Sequence, residues 1–214
     1  MARLSARIAL LPLLGALLPA ALVAVAQLQT PLHAGHARTH LFPGSREGGG
    51  TRGVCAARRV ALLVPEDGSF RLAADPWVGL LEGETSQPSE LAVRIDGLGE
   101  RTLAARPAGV RLLHLHGLSS EAVWESFPRC AAPGSPEAAS EGLGEPPPAR
   151  ALLQPGTPRA DDGSAAARAA LARLAAACSA GESSVATAPL LETFAYRQLA
   201  AGLPERLPLH CEHF

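Results

Sequence analysis

The stretch Glu90-Leu91-Ala92-Val93-Arg94-Ile95-Asp96-Gly97-Leu98-Gly99-Glu100-Arg101-Thr102-Leu103-Ala104 decides the fold class. Leu91, Val93 and Ile95 alternate with Ala92 and Arg94, a period of two that belongs to a strand and not to a helix. Asp96-Gly97-Leu98-Gly99 has turn chemistry, and residues 100–104 return. The segment reads as a β-hairpin.

Its surroundings extend the pattern. Residues 59–64 are a short apolar run ending at Pro65, and Glu66-Asp67-Gly68 is a turn signal. Phe70 and Leu72 then alternate with Ser69 and Arg71. Residues 77–81 and 110–116 read as further strands. Ser119 is a plausible cap for a short helix over 120–127, stopped by Pro128. We therefore expect 54–130 to be a small antiparallel β-rich domain with one short helix. An α/β unit is the alternative, because the last strand runs straight into that helix.

Outside this domain the composition shifts. Residues 131–163 hold seven Pro and five Gly, including Pro146-Pro147-Pro148, and read as a linker. Residues 27–53 read as a flexible tether. Beyond 163 the pattern is helical. Ser164 caps an Ala-rich run that reaches Ala180, with Gly181 suited to its end. A second helix is expected over 188–201, capped by Thr187. Residues 164–214 thus read as a helical hairpin with a C-terminal tail, and the whole chain as α+β.

The first 26 residues read as a targeting signal, with a buried helix of a soluble protein as the plain competitor. Arg3 and Arg7 precede an uncharged run over 8–26, and Ala24-Val25-Ala26 is an acceptable cleavage site. The expectation is a signal peptide over 1–26. An uncleaved anchor is the alternative, since the run is long enough to cross a bilayer. The protein is then secreted or extracytoplasmic, and meets a membrane only through 1–26.

Composition narrows the function. The formal net charge is −1, and all 19 basic residues are Arg, with no Lys and no Asn. The charge balance argues against a nucleic-acid partner. Without Asn there is no N-linked glycosylation. Aromatics are 4% of residues, so the core is expected to be small and to need staples.

Four cysteines, Cys55, Cys130, Cys178 and Cys211, can supply them. An even count in an exported chain reads as two disulfides, with three connectivities open and reduced thiols as the alternative. Sequential pairing, Cys55–Cys130 and Cys178–Cys211, suits the Pro-rich segment between the pairs. None forms a C-x-x-C.

Several residues could carry chemistry. His33, His36 and His40 have the spacing of one helical face and could hold Zn²⁺ or Cu²⁺, although Pro31, Gly35 and Pro43 favour a loop. His114 and His116, two apart on a strand, point the same way and could meet one metal or substrate. Alternatively, Leu113 and Leu115 enter the core and leave both imidazoles in solvent. His210 and His213 could join the first three only through tertiary proximity. Trp77 and Trp124 are core or rim aromatics, and wherever exposed they are the first candidate contacts for a partner protein. No phosphate loop, dinucleotide fingerprint or His-Glu-x-x-His is present. No cofactor is expected.

A resemblance adds one alternative. Leu115-His116-Gly117, then Ala177-Cys178-Ser179-Ala180-Gly181, then Tyr196-Arg197-Gln198-Leu199-Ala200-Ala201-Gly202 follow the order found in the caspase-like CHAT peptidases, which the chain faintly resembles. That resemblance implies a small cysteine hydrolase with a His116/Cys178 dyad. The residues before Cys178 read as a helix where that family has a strand. The reading from the residues themselves is a non-catalytic, exported interaction or assembly module held by two disulfides. An exported metal-binding protein is a further alternative.

Overall fold

The computed structural model describes residues 45–49, 58–73, 76–85, 88–129, 147–157, 163–199 and 202–214, which form a strand-rich α+β unit. The hairpin at 90–104 is present. Strand β5 (Glu90–Ile95) pairs antiparallel with β6 (Gly99–Leu103), matching Leu91 with Leu103 and Ile95 with Gly99. Gly97 and Gly99 have φ of 76° and 93°, the left-handed values that glycine adopts without penalty.

Two sheets are built around it. The five-stranded sheet has the order β3 (Ser69–Leu72), β9 (Ala149–Pro155), β8 (Ala122–Arg129), β5, β6. The six-stranded sheet runs β1 (Glu47–Gly48), β2 (Val60–Leu62), β4 (Trp77–Glu82), β7 (Gly109–His114), β11 (Arg206–His213), β10 (Ser184–Ala186). Most pairings are antiparallel, but β7–β11 and β3–β9 are parallel.

Register assigns the faces, because residues paired across a ladder project to the same side. One face of the six-stranded sheet carries Trp77, Gly79, Leu81, Val110, Leu112, His114, Leu209, Cys211 and His213. Helix α1 (Ser164–Ser179) lies on it, with Leu171 packed where Gly79 has no side chain. The opposite face, with Leu80 and Leu113, meets the inward side of the five-stranded sheet, which carries Phe70, Ile95, Trp124 and Leu153. Strand β7 is buried throughout. That double coverage explains why it reads as an apolar run and not as an alternation.

The outward side of the five-stranded sheet is closed by charge. Arg94 pairs with Glu100 at 2.7 Å and with Glu125 at 3.3 Å, and Arg150 pairs with Glu125 at 2.6 Å. Arg129 also pairs with Glu100, so opposite charges face one another from strand to strand.

Several expectations need correction. Residues 120–127 are not a helix. Ala122, Trp124 and Ser126 are buried while Val123 and Glu125 are half-buried, the period-two signature of β8. Pro128 is tolerated there because β9 pairs with β8 only as far as Ser126. The expected linker over 131–163 contains β9, whose Ala149, Ala151 and Leu153 are buried. The C-terminal piece is not a helical hairpin with a loose tail. Its second helix, α2, spans only Thr187–Thr193, and the tail is β11, a parallel neighbour of β7. The helix stops because Ala195 takes φ 54° and Tyr196 turns into the core, where its hydroxyl donates to the Leu62 carbonyl at 2.5 Å. The described residues of 54–130 and of 164–214 therefore contribute to one hydrophobic core, which holds Leu62, Trp124, Leu171 and Leu207 together.

Helix α1 ends as its sequence suggests. Gly181 has φ 75°, its N–H donates to the Cys178 carbonyl, and the Glu182 N–H donates to that of Ala177, a Schellman closure. Its start differs. Gly163 occupies the cap position, and the Ser164 hydroxyl accepts from the Arg71 N–H of β3.

Candidate functional site

Three histidines meet at one end of the six-stranded sheet. Leu113 and Leu115 enter the core, which turns His114 and His116 to the helix-covered face. The parallel β7–β11 register sets His213 beside His114, and the antiparallel β4–β7 register sets Trp77 on its other side. The Phe214 N–H donates to the His114 carbonyl at 2.9 Å and carries the ladder past β11.

The rings are in contact. Trp77 stacks on His114 with centroids 4.4 Å apart. His116 meets His114 edge-on at 4.2 Å, and His213 lies 5.7 Å from His114 and 6.2 Å from His116. One nitrogen from each imidazole falls within 4.8 Å of the others. His114 is mostly covered, at 8% exposure, while His116 and His213 face solvent. Arg101 of β6 donates to the His213 carbonyl and holds that end of β11 in place.

Cys211 lies two residues before His213 on the same face and is bonded to Cys178 of α1, with 6.0 Å between the Cα atoms. Of the expected pairs, Cys178–Cys211 is thus present, whereas Cys55 and Cys130 lie outside the described residues. The bond bears on the His116/Cys178 dyad, because a disulfide sulfur is not a thiolate nucleophile. His116 is directed to the other two histidines.

The remaining candidates separate. His33, His36 and His40 lie outside the described residues. His210 belongs to the opposite face of β11, where burial first, then Arg106 and Arg111, hold its imidazole below the usual pKa. Trp124 is fully buried, and its indole N–H donates to Ser126 Oγ at 2.9 Å. It is a core residue and not a partner contact. Trp77 is half-buried at the rim.

Sequence reasoning did not anticipate a buried ionic cluster between the sheets. Glu82 bonds Arg58 at 2.9 Å and Arg111, and Arg111 also reaches Glu212 at 2.8 Å. Arg58 and Arg111 donate further to the carbonyls of Arg106 and Ala104. Burial pushes the Glu82 carboxyl above its ordinary range, against the pull of Arg111 and Arg58. The signal was a lone charge inside each of two apolar strands, Glu82 in β4 and Arg111 in β7. Such pairing is what allows those charges to be buried.

An open groove of about 440 Å³ lies away from the histidines, lined by Arg59, Leu81, Glu84, Gln198 and Leu203 among others. Among the described residues, no helix is long and apolar enough to cross a membrane. No protein-family model, curated protein or solved structure matches the chain.

Proposed function

We propose that the chain is an exported, non-catalytic recognition or assembly module whose fold is locked by disulfides. The observation that carries this reading is the Cys178–Cys211 bond. It joins α1 to β11 across 33 residues of sequence, and a cross-link of that span suits an oxidising compartment. The arginine-led apolar run over 1–26 points the same way. The bond also leaves Cys178 without a free thiolate, which favours recognition over cysteine hydrolysis. The partner is a protein, with the half-buried Trp77 rim as a contact.

Intact mass of the protein expressed in a secreting host tests this reading. The expected product is in the medium, lacks residues 1–26, and gains about 4 Da on reduction as two disulfides open. Full-length protein confined to the cytosol with its cysteines alkylatable in the native state would overturn it.

A further inference from the structure

We infer that His114, His116 and His213 form a binding site for a divalent transition-metal ion of the zinc or copper class. The inference goes beyond the recognition reading and does not depend on it.

Three features carry it. The three ligand nitrogens already lie within 4.8 Å of one another. Tetrahedral zinc needs them about 3.3 Å apart, given Zn–N bonds near 2.0–2.1 Å. The remaining approach falls to His116 and His213, which face solvent and can rotate without disturbing the core. His114, by contrast, is fixed by stacking on Trp77, so the site has one rigid ligand and two adjustable ones. Finally, the backbone positions are set by two ladders and a cross-link. β7 and β11 are hydrogen-bonded neighbours, and Cys211 is bonded to α1 two residues from His213.

The ligand chemistry selects the ion. Imidazole suits zinc and copper and is a poor ligand for calcium or magnesium, which take oxygen donors. Three protein ligands leave a fourth position for water or for a donor from a bound partner. The Arg101 guanidinium on the His213 carbonyl opposes a cation here, so the three nitrogens must supply the affinity.

Equilibrium dialysis of the full chain against Zn²⁺ tests the site. The wild type and the triple variant His33→Ala/His36→Ala/His40→Ala should each bind one ion at this cluster. His116→Ala and His213→Ala should each weaken that binding by more than about tenfold. A second readout uses Cu²⁺, whose binding beside His114 should quench Trp77 emission, with Trp77→Phe removing the quenched component. Zn²⁺ binding unchanged in both single variants, or lost in the triple variant, would overturn the assignment, as would Cu²⁺ that leaves Trp77 emission untouched.

Discussion

Cys211 and His213 project from the same face of β11, so the bond from Cys211 to Cys178 on α1 anchors the strand two residues before its histidine. One cross-link therefore holds both the helix layer and one wall of the histidine cluster.

Removing that cross-link should be costly. In the chain-entropy model, closing 33 residues contributes about 3.5 kcal/mol. The double variant Cys178→Ser/Cys211→Ser is expected to lose about 2–4 kcal/mol in denaturant melts. A variant as stable as the wild type would show that the bond does not constrain the fold.

Glu82 should tolerate substitution poorly. Glu82→Gln takes from Arg58, at 2% exposure, its carboxylate partner and leaves Arg111, at 0%, with Glu212 as its carboxylate. A loss of about 3–5 kcal/mol is expected, the usual result of breaking a buried pair from one side. Urea unfolding measures it, and a change under 1 kcal/mol would contradict the cluster.

Gly79 tests the packing of α1 on the sheet. A Cβ there would lie 2.8 Å from Leu63 Cδ1 and 2.9 Å from Leu171 Cδ2, and both leucines are buried. Gly79→Ala is expected to cost about 1–3 kcal/mol through overpacking. A neutral or stabilising result would place α1 elsewhere.

Tyr196 is the single tyrosine, so its titration can be read directly. Burial first, and a nearby Glu47, push its phenol well above the ordinary value, although Arg46 pulls the other way. The folded protein should show no tyrosinate absorbance through pH 10–11, the range in which an exposed phenol ionises. Tyrosinate appearing near pH 10 in folded protein would place Tyr196 at the surface.

His210 gives the pH dependence its sign. Its folded pKa is depressed, chiefly by burial, so the unfolded chain takes up the proton more readily. Its contribution to stability is complete above the unfolded value, about 6.5, and is lost as pH falls from there through the folded value. The His210→Asn variant should show a flatter stability curve between pH 7 and 5. Curves of equal slope would contradict the assignment.

Local signals in the sequence suffice where a single element decides the structure. The hairpin at Asp96-Gly97 and the glycine end of α1 are both fixed by backbone geometry that few other residues allow. Long-range pairing was not legible. β9 sits in a Pro/Gly-rich stretch, and only its pairing with β8 and β3 makes Ala149 and Ala151 core residues. Ser119 and Pro128 imitated helix boundaries around a strand. The histidine cluster was half visible: His114 and His116 share a face by spacing alone. His213 joins them only through the parallel β7–β11 register, across almost a hundred residues of sequence.

The Cys178–Cys211 cross-link, on which the proposed function rests, is tested most directly by a tryptic map of the protein run without reduction. Cleavage after Arg173, Arg197 and Arg206 should yield residues 174–197 joined to residues 207–214 through Cys178 and Cys211. Recovery of those two peptides separately, each with an alkylated thiol, would contradict the account.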